Sequence, residues 1–478
     1  MPACLLLLFV WEKKRMQFEG DNLRSVSIVK KQAGIQLSQR MIPDDASLRR
    51  AAIVDVVLLY CSDVLFPSGC CVAAGGRSAF GETWNGEEKR CSHLPKENTA
   101  AGDLCVERLS GGITNELFRA HHPSDPTRSV VVRVFGRETE RVISRESEFF
   151  YQSLFIPTYV RGANFLIYEF LNQYEALQFT EMPLEASKVA CEVAAFQVRA
   201  TLESKFDHQN PQLSGEERAY WDAVGLTLGS NSSAEFGRCR FDREENYTLH
   251  ALTKWAEQML SEGVLKKVCV NKRAEYEEAA RQLEGEASWM RKLLLRHASS
   301  LGESVCHNDL LGANIMRHRL NGVLKIIDFD YVKRNYFLFD IANHFNEYAG
   351  MECDYDQYFP SDEEMSRFIG IYRKAMRAEL NKYREDARCR ELDEIIPGQR
   401  HFFICAANKE EEEEEEQRTI AHWVGLVKLL TLASHLSWGI WALLQEAVSA
   451  LEVDFLVYAK CRLKRYLETK YTFSAGFN

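Results

Sequence analysis

Two short stretches limit this chain more than any other part of it: VCHNDLLGANIM over residues 305–316 and VLKIIDFDY over 323–331. Both are built on apolar residues of the kind that fill a buried strand. Both also carry polar groups that such a strand tolerates only with partners or with a purpose. His307, Asp309 and Asn314 make the pattern H-x-D-x-x-x-x-N, and Asp328 follows fourteen residues after Asn314 (328 − 314). Phosphoryl transfer asks for this set. One aspartate accepts the proton of the attacking hydroxyl, while an asparagine oxygen and a second carboxylate hold Mg²⁺ against nucleotide phosphates. The plainer reading makes Asp309 and Asn314 turn formers. A lone H-x-D would not displace it, but the spaced set between a predicted helix and a predicted strand does. Asp309 to Asn314 has the spacing of a kinase catalytic loop, and Asp328-Phe329-Asp330 falls where kinases carry D-F-G.

The segment 104–172 reads as an α+β nucleotide-binding lobe. Glycine-rich LSGGITNELF (109–118) precedes the β-branched run VVVRVFG (130–136); a helical stretch and a second strand, FLIYEFL (165–171), follow. Gly111 and Gly112 allow backbone N–H groups to approach phosphates, and Asn115 is counted with them as a nucleotide-binding candidate. Arg133, flanked by valines, is the candidate phosphate-facing cation, with Glu146 on the next helix as its expected partner. The alternative for Arg133 is an arginine on an edge strand facing water. From 173 to 478 the chain is mainly helical in pattern, with a strongly apolar stretch after His422. Residues 1–103 show no sustained period and are expected to be poorly organised. Within them GRSAFGET (76–83) has P-loop spacing, but Glu82 stands where a lysine must neutralise phosphate, so the match is set aside as chance. Seven consecutive glutamates, 410–416, are expected to form a solvated loop within an insertion near 405–417.

Net charge is 59 − 69 = −10, which argues against nucleic acid as a partner. Fourteen cysteines without a CxxC pair fit reduced thiols and a cytoplasmic location. The apolar run near the N-terminus is too short to span a bilayer, and no membrane span is expected.

At this point longer motifs become specific. IDFDYVKRNYFLFDIANHFNEYAG (327–350), CHNDLLGANI, SGGITNELF, VVVRVFG and LASHLSWGIWAL (432–443) resemble the choline/ethanolamine kinase family over about Val106 to Tyr466. The resemblance implies a protein-kinase-like two-lobed α+β fold, with a small β-rich N-terminal lobe and a large, mainly helical C-terminal lobe. ATP and Mg²⁺ would be its cofactors and an amino alcohol its substrate, with a homodimer left open. It implies Asp309 as general base, with His307 and Asn308 shaping the loop and Asp340 tying it in place. Asn314 and Asp328 would bind Mg²⁺. Asp330, Tyr331, Glu347, Tyr355, Trp438, Trp441 and Phe455 would form the amine pocket, although Trp438 and Trp441, three apart on a helix, also suit plain core packing. Leu311, the FNEYAG stretch and Phe455 lean toward ethanolamine, whose ammonium offers three N–H donors. The implied activity is ethanolamine phosphorylation, the first step toward phosphatidylethanolamine. Choline or dual specificity and a catalytically inactive scaffold are the alternatives.

Overall fold

The computed structural model describes residues 36–37, 41–65, 104–109, 115–136, 143–207, 239–383, 408–449 and 453–477. They fall into two compact units. One holds the described residues up to Ile143 together with Gln152–Asn172; the other holds Ser144–Tyr151 and the described residues from Gln173 onward.

The first unit is a six-stranded sheet. Its strands are β1 (Gln36–Leu37), β2 (Cys105–Leu109), β3 (Asn115–His122), β4 (Asp125–Phe135), β5 (Thr158–Arg161) and β6 (Phe165–Glu169), in the order β1-β5-β6-β4-β3-β2. All neighbours are antiparallel except β1 and β5. Period-2 alternation sends Val130, Val132 and Val134 into one core with Phe165 and Ile167. Helix α1 (Ala46–Leu65) covers that core with Ile53, Val56, Val57, Cys61 and Leu65. At roughly 1.5–3 kcal/mol per buried aliphatic side chain, α1 is integral to the unit. Two further contacts fix it: Ile42 and Asn164 exchange hydrogen bonds at 2.9 and 2.8 Å, and Arg49 pairs with Glu116. The expectation of a poorly organised extension therefore fails for 41–65. Its apolar run, AAIVDVVLLYCSDVL, has no clean stripe because side chains on several sides of the helix are partly buried. The P-loop-like stretch 76–83 lies outside the described residues.

The second unit is helical, with two small ladders set into it, one of which includes β7 (Tyr174–Ala176). Its long helices are α3 (Ala186–Phe206), α4 (Arg273–Arg296), α5 (Phe339–Glu347), α6 (Asp362–Tyr383), α7 (Lys409–Val448) and α8 (Phe455–Ser474), and α7 packs against α4, α5, α6 and α8. Helix α7 is long and apolar enough to cross a membrane, yet 94% of its apolar window is buried inside the protein, which makes it a core helix. The glutamate run is not a loop but the start of α7. Asn408 caps it by accepting the Glu411 N–H at 2.9 Å, and acidic residues in a first turn complement the helix dipole. The last glutamate, Glu416, is held between Arg373 and Arg377 of α6 at 2.9 and 3.0 Å. Arg373 is fully buried and also stacks on Trp423 at 4.4 Å.

Candidate active site

Strand register brings the two motif stretches together. Strand β8 (Glu303–Cys306) pairs with β11 (Lys333–Tyr336), Cys306 opposite Lys333, while β9 (Ile315–His318) pairs with β10 (Leu324–Ile326), Ile315 opposite Ile326. Loops 307–314 and 327–332 therefore leave from neighbouring strand ends. They are stitched by Ile327 N–H to Asn314 O at 2.9 Å and by His307 Nε2–H to Ile327 O at 3.0 Å. That carbonyl acceptor places the proton on Nε2. Burial holds the imidazole pKa below its ordinary value, so the ring is neutral.

Asp340, at the start of α5, clamps the first loop. Its Oδ2 accepts the His307 N–H at 2.9 Å and its Oδ1 accepts the Asn308 N–H at 2.8 Å. Gln197 Nε2 of α3 donates to the same Oδ2 at 2.9 Å. Asn308 takes a left-handed φ of 68°, and its Nδ2 donates to the Tyr331 carbonyl at 2.8 Å. These bonds leave Asp309 half-buried at the bend. Asn314 Nδ2 donates to Asp309 Oδ2 at 3.0 Å and to its carbonyl at 2.9 Å. Burial pushes the Asp309 carboxyl well above the usual range, and Asp328, Glu347 and Asp330 push it further; Asn314 partly offsets this. Asp328 is also left-handed, with φ 66°. For a non-glycine residue such a backbone is held in place by its surroundings. Asp330 is buried, with Arg145 Nη1 at 3.6 Å.

Tyr331 continues from this acidic turn into an aromatic wall. Its ring meets Trp438 edge-on at 5.3 Å; Trp438 meets Trp441 at 5.3 Å and Trp441 meets Phe455 at 5.8 Å. Trp441 Nε1 donates to the Tyr331 hydroxyl at 2.8 Å and Trp438 Nε1 to Asn343 Oδ1 at 2.8 Å. Glu347 and Tyr355 lie by Arg462: the Arg462 guanidinium donates to Glu347 at 2.9 Å, and both Glu347 and Tyr355 act on its charge. Sequence reasoning missed Tyr247 and Trp255, which complete the wall around Tyr331 at 6.4 Å each. Their signal was two aromatics eight residues apart (255 − 247) in the region read only as mainly helical. Trp255 ends a π-helical turn, Ala251–Trp255, a distortion that often accompanies function. Asn343 and Arg462 gave no sequence signal.

Of the residues expected to face a nucleotide, Gly111 and Gly112 lie outside the described residues. Asn115 opens β3 and is buried. Arg133 sits in β4 between β3 and β6, opposite Leu117 and Leu166 and 3% exposed, so the edge-strand alternative fails. Glu146 lies in the first turn of helix α2 (Arg145–Phe155), and its carboxylate accepts from Arg240 Nη2 at 2.7 Å. Two residues on, about 200° around the helix, Glu148 is fully buried and bonded to Arg145 Nη1 at 2.6 Å. Glu148, not Glu146, is the inward-facing acid of that helix.

Among the described residues no three histidine, cysteine, aspartate or glutamate side chains form a protein-only metal cage. An asparagine oxygen with one carboxylate suits instead a cation that keeps its phosphate and water ligands, as Mg²⁺ does.

The choline/ethanolamine kinase family model matches residues 106–467. The chain is 30% identical over 373 residues to a probable ethanolamine kinase of Arabidopsis thaliana, covering 76% of this chain and 79% of that one. It is 26% identical over 395 residues to ethanolamine kinase 1 of Mus musculus, covering 80% and 91%. Among solved structures, a Plasmodium vivax ethanolamine kinase superposes with a TM-score of 0.51 at 22% identity, over 78% of this chain and 84% of that one, which supports the protein-kinase-like fold. With a matched stretch this long, and with the catalytic-loop residues brought to one turn, the chain belongs to the choline/ethanolamine kinase family.

Proposed function

We propose that this protein transfers the γ-phosphoryl group of ATP to the hydroxyl of ethanolamine, giving phosphoethanolamine, a precursor of phospholipid head groups. Relatives named ethanolamine kinases support the substrate. The observation that carries the chemistry is the clamped Asp309, bonded to Asn314 and ringed by carboxylates. Asp309 accepts the hydroxyl proton as the new O–P bond forms and the bond from phosphorus to the ADP oxygen breaks. Asn314 and Asp328 would hold Mg²⁺, which supplies neutralising charge to the phosphates. Tyr331, Trp438, Trp441 and Phe455 receive the ammonium, with Glu347 as its carboxylate, each aromatic face contributing roughly 0.5–2 kcal/mol. The described cysteines are all free thiols, in keeping with a cytoplasmic enzyme.

The test is purified protein with ATP, Mg²⁺ and ethanolamine. Phosphoethanolamine above a heat-killed control is the expected result; none would reject the assignment. The second reading, choline as the preferred amine, is favoured by the aromatic wall alone. Competition of the two amines at equal concentration, read as kcat/KM, decides between them.

A further inference from the structure

The aromatic wall ends on a buried cation. Arg462 of α8 is 1% exposed. Its Nη1 donates to Glu347 Oε1 at 2.9 Å and to the Tyr458 hydroxyl at 3.2 Å, and its Nη2 donates to Ser434 Oγ at 3.0 Å. The Ser434 hydroxyl donates in turn to Asn343 Oδ1 at 2.9 Å, the same oxygen that accepts the Trp438 indole N–H at 2.8 Å. One guanidinium thus reaches the pocket's carboxylate directly and one of its indoles through two intermediates. The Glu347 side chain remains 14% exposed, so it is held without being sealed off.

We propose that Arg462 is a positioning residue that sets which amine the pocket prefers, by fixing one oxygen of Glu347 and leaving the other to receive N–H donors. The inference rests on the reading of Glu347 and Trp438 as amine-pocket residues. A primary ammonium donates hydrogen bonds and gains from a carboxylate oxygen at a defined place. A quaternary ammonium has no N–H and responds to aromatic faces and net charge. Arg462 offsets the charge of Glu347 while preserving its direction. That arrangement weakens what a quaternary cation gains and keeps what a primary one gains.

The experiment measures kcat and KM for ethanolamine, choline and ATP in full-length Arg462→Met and Arg462→Lys, beside Glu347→Gln and Trp438→Phe. For Arg462→Met, ethanolamine kcat/KM is expected to fall about tenfold or more, the scale of one charge-assisted hydrogen bond. The loss appears in KM, choline kcat/KM holds or rises, and the KM for ATP stays put. Arg462→Lys keeps the charge without the fork and falls between. Removing one member of a buried pair strands the other. If Arg462→Met does not fold, Arg462→Lys and the double variant Arg462→Met/Glu347→Gln carry the test. An unchanged ethanolamine-to-choline ratio in folded variants, or parallel loss for both amines and ATP, overturns the inference. If Glu347→Gln and Trp438→Phe alter amine KM while the Arg462 variants leave the ratio alone, only this inference fails. If none of them alters amine KM, the pocket reading fails with it.

Discussion

The catalytic loop and the aromatic wall lie next to each other but are held by different means. In the loop, side chains bond to backbone: Asp340 to the N–H groups of His307 and Asn308, Asn308 to the Tyr331 carbonyl, and His344 Nδ1 to the Leu310 carbonyl at 3.1 Å. These groups come from one run of about forty residues, buttressed from outside it by Gln197, which donates to Asp340. In the wall, side chains bond to side chains drawn from Tyr247 to Arg462. A backbone clamp fixes geometry before substrate arrives and tolerates little change. A side-chain mesh can be retuned one member at a time. The first suits chemistry common to a family, the second suits choice among substrates.

The largest effect expected is from Asp309→Ala, which should lower kcat by at least about 10²-fold, the usual scale for a positioned base. Steady-state kinetics with saturating ethanolamine measures it, and a near-normal rate contradicts the role. Asp340→Ala sharpens the contrast, because it orphans two buried backbone donors and one N–H of Gln197, whose side-chain amide keeps its bond to the Phe337 carbonyl. It should lose several kcal/mol of stability, at about 1–3 kcal/mol per orphaned group, and lower kcat as well. Thermal unfolding with kinetics on the folded fraction checks both. Loss of stability without loss of rate would show that the loop is not clamped by this carboxylate.

Acid titration probes the same clamp. Burial lowers the His344 pKa to about 4. The unfolded chain then binds more protons than the folded one below about 6.5, so stability present above that pH is lost as pH falls toward 4, by up to about 3 kcal/mol. Melting temperature against pH should flatten in His344→Gln. Glu416→Ala removes the shared carboxylate of Arg373 and Arg377 and should cost about 2 kcal/mol. Kinetic constants of the folded enzyme should not move, since Glu416 lies outside both regions; a changed amine KM would break the separation. The smallest effect is expected for Phe455→Tyr, a few-fold rise in choline use relative to ethanolamine, on the scale of one polar contact at an aromatic face.

The loop was legible in the sequence because its members are adjacent and their spacing is the geometry. Asp309, Asn314 and Asp328 follow from two strands whose ends the register brings together. Trp438 and Trp441 were assigned to a pocket only through the family resemblance, because residues three apart on a helix also suit core packing, and the fold shows Tyr331 and Phe455 meeting them. Asn343 and Arg462 were silent, because an asparagine and an arginine on amphipathic helices look like surface until burial is known. Glu148 drew no attention beside Glu146 because two acids sit in one helical turn and spacing does not say which is buried. The glutamate run misled for a related reason: seven like charges suggest a solvated loop, yet an asparagine cap at its start and two arginines opposite its end make it helix.

Helix α7 carries Glu416 near one end and the two indoles near the other without a break. Trp438 lies 22 residues beyond Glu416 (438 − 416), about 6.1 turns, so both project from nearly the same side. Inserting or deleting one residue between them would swing the indoles by about 100° relative to the arginines that grip the helix. Lengthening the acidic tract ahead of Glu416 would disturb neither. Drift in chain length is therefore permitted upstream of that anchor and forbidden for six turns downstream of it.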